Sequence, residues 1–390
     1  MPDMIPISKP LLDEREADAA RRAILSGWVT QGPEVAAFEQ EFSAYFRAPH
    51  ACAVSSCTTA LHLALLAVGV GAGDEVITVS HSFIATANSV RYCGAIPVFV
   101  DIDPQTFNID PEQIEQVITP KTRAILCVDQ IGMPCDLSRI VEIGRKHRVP
   151  VVEDAACAIG SQIRWEGKWE KLGKPHADIA CFSFHPRKLL TTGDGGMLTT
   201  ANADWDAGFR LRRQHAMSVP DTVRHKSSQV VFESYEEVGF NYRMTDIQAA
   251  IGREQLKRLP DVIERRRNMA KRYHELLSDI DGIIPPHEPE WARSNWQSYC
   301  VRLPKGLDQL TVMQQMLEAG VSTRRGVMCA HRESPYKNPE SLKNRMTLTH
   351  SEEAQDHCIL LPLFHQLTEE QQDRVVASLK SAIAARAVAS

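Results

Sequence analysis

The sequence predicts an α/β fold: a mainly parallel central sheet in a large domain, followed by a smaller C-terminal α+β domain. Three observations predict it. Short apolar runs alternate with helix-like patterns through the first two-thirds of the chain. Those runs are continuous rather than alternating, as strands buried on both faces are, and helices interposed between such strands mark βαβ crossovers. The rhythm then changes after about residue 240, and 390 residues leave room for about two domains.

Taken in order, 51–55 reads as a strand and 58–68 as a helix, then 75–79 as a strand and 84–92 as a helix. A strand at 96–102 precedes a helix opening at Asp110, with Pro111 in the first-turn position that proline tolerates. Strand 123–128, helix 137–147 and strand 149–153 continue the rhythm, and strands 179–184 and 196–200 complete it. Thr245-Asp246-Ile247-Gln248 has the form of a capping box at a helix start. Pro260 should break or kink that helix before a basic stretch carries it to about residue 278. Beyond Pro285-Pro286, a strand at 298–303, a helix at 309–319, a strand at 321–325 and a last helix from Thr368 form the smaller unit. The expected division is 1–250, with an N-terminal arm over about 1–30, and 251–390.

Composition narrows the function. A net charge of −5 supplies no basic field, which argues against nucleic acid or an anionic membrane as the main partner. Apolar stretches such as 60–70 are far shorter than the roughly 20 residues of a membrane helix. The first residues, Met1-Pro2-Asp3-Met4-Ile5-Pro6, lack the charged-then-apolar form of a secretory signal, so a cytoplasmic location is expected. Ten cysteines include no C-x-x-C pair and several sit in strand-like flanks; reduced, mostly buried thiols are expected, with no metal.

Ligands of an open parallel sheet sit beyond the carboxyl ends of its strands, and three segments place reactive groups there. Val151-Val152-Glu153-Asp154 ends an apolar strand on two acids that point to opposite faces. Cys181-Phe182-Ser183-Phe184-His185-Pro186-Arg187-Lys188 runs a strand into a turn bearing a lysine. Ser55-Ser56-Cys57-Thr58 puts small hydroxyl residues at a strand-to-helix junction, where free N–H groups and the helix dipole favour an anion. Each feature has an ordinary structural use as a cap, an ion pair or a solvated side chain. Together, an anion cradle, a sheet-end carboxylate and a lysine fit pyridoxal 5′-phosphate (PLP).

Longer motifs carry a family resemblance. The chain resembles the DegT/DnrJ/EryC1/StrS sugar aminotransferases through Leu61-His62-Leu63-Ala64-Leu65, the run Gly69-Val70-Gly71-Ala72-Gly73-Asp74-Glu75-Val76-Ile77 and Pro97-Val98-Phe99-Val100-Asp101. Glu153-Asp154-Ala155-Ala156, Phe182-Ser183-Phe184, Thr191-Thr192-Gly193-Asp194-Gly195-Gly196 and Gly239-Phe240-Asn241-Tyr242-Arg243-Met244 match as well. The resemblance implies the type I fold of PLP-dependent transferases. It implies Lys188 as the lysine that forms the Schiff base and Asp154 as partner of the ring nitrogen. Ser56, Cys57, Thr58 and Ser183 fall at phosphate-binding positions, and Phe83 at the ring-stacking position. Asn241 matches an asparagine that reaches the phosphate of the neighbouring subunit, so a homodimer with a shared active site is implied.

Two positions depart from the family pattern. Cys157 stands where glutamine often meets the ring hydroxyl, and a thiol is the weaker hydrogen-bond partner. Cys57 stands at a common glycine, where it would be strained if the backbone needed a positive φ. The implied reaction is ping-pong transamination from L-glutamate to a keto sugar, with the cofactor cycling through its amine form (PMP) and a nucleotide-linked 4-keto-6-deoxyhexose as acceptor. Proton transfer by Lys188 would need a neutral amine in a site that disfavours its charge. His185 is open between a substrate contact and a packed turn residue. Arg187, Arg243, Arg324, Arg325 and His331 are candidates for the diphosphate of a nucleotide sugar. A 3-keto sugar or cyclitol acceptor, a PMP-dependent sugar dehydratase and a PLP-binding sensor are the alternatives; the retained Lys188 speaks against the dehydratase.

Overall fold

The computed structural model describes residues 4–219, 229–230, 232–337 and 346–387. Its larger body is built on β1 (His50–Val54), β2 (Glu75–Val79), β3 (Ile96–Val100), β4 (Thr122–Val128) and β5 (Val151–Asp154). After these come a hairpin of β6 (Gln162–Trp165) and β7 (Lys168–Lys171), then β8 (Ile179–Ser183) and β9 (Gly196–Thr200). Among the described residues, seven of these strands form one sheet in the order β1-β9-β8-β5-β4-β2-β3. β2, β3, β4, β5 and β8 pair in parallel, while β9 runs antiparallel between β8 and β1. The start of β9 therefore lies at the same edge as the carboxyl ends of the other strands.

Helices cover both faces, and their sequences show why. Helix α1 (Glu14–Leu25) is fixed by a capping box between Asp13 and Glu16. Helix α2 (Pro33–Phe46) spaces Phe38, Phe42 and Phe46 four residues apart, on one side. Those rings meet Phe182 and Phe184 of the β8 end, with Phe42 to Phe182 at 5.4 Å and Phe38 to Phe184 at 5.5 Å between centroids. Each such aromatic pair adds about 0.5–1.5 kcal/mol beyond area burial. Since side chains alternate along a strand, Ser183, between the two rings, faces the other side of the sheet. There lies α3 (Cys57–Ala67), whose Leu61, Leu63 and Leu65 are fully buried.

The hairpin of β6 and β7 is a departure from the sequence pattern, which leaves 162–171 unassigned. Its strands are half exposed and polar, so they carry no continuous apolar run. Glu166 and Gly167 connect them with φ of 47° and 82°, the left-handed pair that a two-residue hairpin needs.

The long helix Asp246–Leu277 runs unbroken through Pro260, where a break or kink is expected. The lost hydrogen bond is offset by packing on either side: Leu256, Leu259 and Val262 pack into the larger body, and Met269, Ala270, Tyr273 and Leu277 into a second cluster. Residues 251–262 thus pack with the larger body rather than with the smaller one. At its start, Asp246 accepts the N–H groups of Gly32, Glu34 and Val35 at 2.7–3.1 Å and caps α2, whose own cap position is a glycine without a side chain.

The second cluster surrounds a small antiparallel sheet of β11 (Tyr299–Arg302), β13 (Cys358–Leu361) and β12 (Arg324–Arg325). Strand β10 (Ala292–Arg293) instead extends the hairpin through β6. In the N-terminal segment, Ile5 is buried in the second cluster and exchanges backbone hydrogen bonds with Gly320 and Ser322 at 2.9 Å.

Candidate active site

The expected site residues converge where β1, β5, β8 and β9 end. Register shows why: Val54 pairs with Gly196, Gly196 with Ser183, and Asp154 with Cys181. Just past Val54, Ser56 caps α3, and its hydroxyl and that of Thr59 close a capping box. Ser56 has φ of −165° and Cys57 is the first helical residue, absent from the positive-φ positions. The strain expected at Cys57 is therefore not present. The first N–H groups of α3 remain available to an anion.

Gly196 makes that cradle possible. A Cβ there would stand 2.6 Å from the Ser56 carbonyl and 2.8 Å from the Cys57 nitrogen. Gly196→Ala is expected to push the helix start outward at a cost of about 1–3 kcal/mol. Titration with pyridoxal phosphate should then show roughly tenfold weaker binding.

Asp154 and Glu153 divide between the two faces. Asp154 turns toward α3, with one oxygen accepting the Thr86 hydroxyl at 2.8 Å and the other accepting the Ala156 N–H at 3.2 Å. Ser82 stands 2.7 Å behind Thr86 and donates to it in turn. Burial pushes the Asp154 carboxyl up, opposed by Thr86, Ala156 and Lys188. A cationic group placed beside it would hold it ionised. Thr86, on α4 (Ala85–Tyr92), is a site residue that the sequence reading missed. Its signal was available: it lies three residues after Phe83, at a strand-to-helix junction.

Glu153 faces the opposite side, fully buried, with Asp129 beside it. Burial and then the neighbouring Asp129 push its carboxyl well above the ordinary range, favouring the protonated form. Unfolded, the same group ionises near 4.5. Its contribution to stability is full below that value and drains away as pH rises toward the folded one. Glu153→Gln should abolish this slope, its denaturant midpoint gaining relative to wild type as pH rises above the unfolded value.

Lys188 sits on the turn after β8, its backbone N–H bonded to the His185 carbonyl at 2.8 Å. The turn is braced from outside: Gln297 donates to the Arg187 carbonyl at 2.7 Å, and Gln248 of the long helix donates to that of Asp194 at 2.9 Å. The Lys188 Nζ lies 3.0 Å from the Cys157 Sγ. Burial opposes the ammonium charge, but Cys157, Cys57 and Asp154 outweigh it and the amine titrates above its ordinary value. The expectation of a neutral amine is thus not met by the chain alone.

The remaining candidates scatter around this centre. Ser183 is buried at the β8 end, and Phe83 is exposed on the turn before Thr86. Cys57 lies 4.0 Å from an Asp154 oxygen. Asn241 is exposed, 3.4 Å from Arg243, while Tyr242 between them bonds to Ser55 beside the cradle at 2.8 Å. His185 is partly exposed, and its Nδ1 accepts the Arg187 N–H at 3.2 Å, leaving Nε2 for the proton. Arg325 is exposed and lies 3.7 Å from Glu333. The ring nitrogens of His331 meet Ser80 at 2.7 Å and Glu352 at 2.9 Å, tying two distant segments together. No group of three metal-ligating side chains occurs among the described residues, nor does a helix long and apolar enough to cross a membrane.

A buried carboxylate, a lysine and a helix-start cradle closed by an obligatory glycine fit pyridoxal phosphate at its ring nitrogen, aldehyde and phosphate. With the type I fold around them, they define a PLP-dependent aminotransferase. The chain belongs to the DegT/DnrJ/EryC1/StrS aminotransferase family, whose model matches residues 10–380. It is 38% identical over 379 residues to GDP-perosamine synthase of Caulobacter vibrioides, covering 96% of this chain and 97% of that one. It is 34% identical over 385 residues to the spore coat polysaccharide biosynthesis protein SpsC of Bacillus subtilis, covering 97% of each. Among solved structures, Spr1654 of Streptococcus pneumoniae, assigned as a sugar aminotransferase and solved in its PMP form, superposes with a TM-score of 0.90. It is 28% identical and aligns over 98% of this chain and 99% of that one.

Proposed function

We propose that this sugar aminotransferase converts a nucleotide-linked 4-keto-6-deoxyhexose to an amino sugar, with L-glutamate as amino donor. The observation that carries the transfer is the placement of Lys188 and Asp154 at one sheet edge beside the α3 cradle. The likeness to GDP-perosamine synthase favours a nucleotide-linked sugar, and the His185-Pro186-Arg187-Lys188 form of the lysine turn favours the 4-keto acceptor.

Pyridoxal phosphate supplies the carbonyl that takes the amino group and a ring that withdraws electrons. Asp154 would hold the proton on the ring nitrogen, with its own oxygens fixed by Thr86 and Ala156. Ser56, Cys57, Thr58 and Ser183 would hold the phosphate, and Phe83 would cover the ring. Lys188 Nζ takes the proton from the donor's Cα and returns it to the acceptor. His185, Arg243, Arg325 and His331 are the candidates for contacts with the nucleotide sugar, where a guanidinium matches diphosphate geometry.

The active unit is a homodimer in this reading, with Asn241 completing the partner's phosphate site. The segment leading to it leaves Val230, Phe232, Tyr235 and Val238 exposed, apolar surface that a second copy would cover. Light scattering on a gel-filtration column should give twice 43.5 kDa, and a monomer would remove the shared site. For the substrate, purified protein is incubated with L-glutamate and a panel of nucleotide keto sugars, with products identified by mass. Amination of a 4-keto sugar is expected; exclusive amination of a 3-keto sugar or a cyclitol would overturn the assignment.

A further inference from the structure

We propose that Cys157 is an oxidation switch on Lys188: peroxide converts its thiol to a sulfenic acid, which the free lysine amine captures as a covalent S–N bond. The inference rests on the reading of Lys188 as the cofactor lysine, and it assigns Cys157 a modification chemistry that the transfer reaction does not use.

Four observations carry it. The two reactive atoms already lie 3.0 Å apart. Of the ten cysteines, nine are buried and Cys157 alone is partly exposed, which makes it the cysteine most open to an oxidant from solvent. Around the same site Cys57 and Cys181 are buried, and burial holds both as thiols. The Cys157 carbonyl is also pinned, 2.9 Å from the Asn295 amide that bonds the Ile159 carbonyl as well, so the sulfur is carried on a fixed turn.

The chemistry balances with hydrogen peroxide as the oxidant. Its O–O bond breaks, the sulfur loses two electrons and gains a hydroxyl, and one water leaves. The lysine amine, having released its extra proton to solvent, attacks the sulfur. The S–N bond forms, the S–O bond breaks, and the hydroxyl departs with an amine proton as a second water. A thiol reductant reverses the step.

A consequence distinguishes the switch from general oxidative damage. In the cofactor-loaded enzyme Lys188 has a free amine while the cofactor is in its amine form, so the PMP-loaded enzyme is sensitive and the PLP-loaded enzyme, with the lysine engaged, is protected. The enzyme would then be shut off when amino donor is abundant and acceptor sugar is scarce.

The test treats PLP-loaded and PMP-loaded protein with hydrogen peroxide and maps peptides without reductant. Expected is a linked pair of peptides holding Cys157 and Lys188, two hydrogens lighter than their sum, at least about tenfold more abundant from the PMP-loaded sample and lost on adding dithiothreitol. Cys157→Ser should give no linked pair, and after peroxide it should rebind PLP as its own untreated sample does. A Cys157–Cys57 disulfide in place of the link, no link at all, or equal yield from both samples would overturn the proposal. Borohydride reduction of the PLP-loaded sample separates the two readings. A tag on Lys188 there, together with no link in the peroxide-treated PMP-loaded sample, sinks the switch alone, and a tag elsewhere sinks the assignment of the lysine.

Discussion

Lys188→Ala lowers turnover by about four orders of magnitude or more and removes the absorption band of the lysine-bound cofactor. One atom carries this effect. Nζ is the group on the turn after β8 that can both bond the cofactor aldehyde and shuttle the substrate proton, and alanine has neither capacity. The fold should survive, because the turn is held by groups other than the Lys188 side chain: the His185 carbonyl, the Gln297 amide on the Arg187 carbonyl, and Phe182 and Phe184 packed on α2. Circular dichroism and the denaturant midpoint should therefore match wild type. Lys188→Arg separates charge from chemistry, since arginine keeps the cation but cannot give up its proton. It should be as inactive as alanine. Full activity in either variant would remove Lys188 from the reaction.

Asp154→Asn is expected to lower turnover by about 10²–10⁴-fold while leaving the chain folded. The amide has the shape of the carboxyl and one oxygen for Thr86, but no charge to keep a proton on the ring nitrogen. Because burial has already raised the Asp154 carboxyl, acidification of the wild type protonates it and should weaken cofactor binding. The asparagine variant has nothing to titrate there, so its cofactor affinity should be flat over the same range. Parallel titrations with pyridoxal phosphate at several pH values check this. A wild-type affinity that does not fall on acidification, or a variant with undiminished turnover, would show that the acid does not face the ring.

The sequence by itself determined the α/β class and most of the sheet. Buried parallel strands are continuous apolar runs, and 75–79 and 196–200 coincide with the strands observed. It also determined the order of reactive segments, since the ends of such strands are where a ligand must lie. Tertiary structure decided which acid faces the site: alternation says only that Glu153 and Asp154 diverge, and α3 defines the face that matters. It also brought Thr86 to Asp154 across 68 residues and closed His331 between Ser80 and Glu352. It placed Cys157 against Lys188 and carried a helix through Pro260. The reason is physical. Local pattern records how much of a residue is buried and on which side, but a partner far away in sequence is chosen by packing, and only the folded chain holds that information.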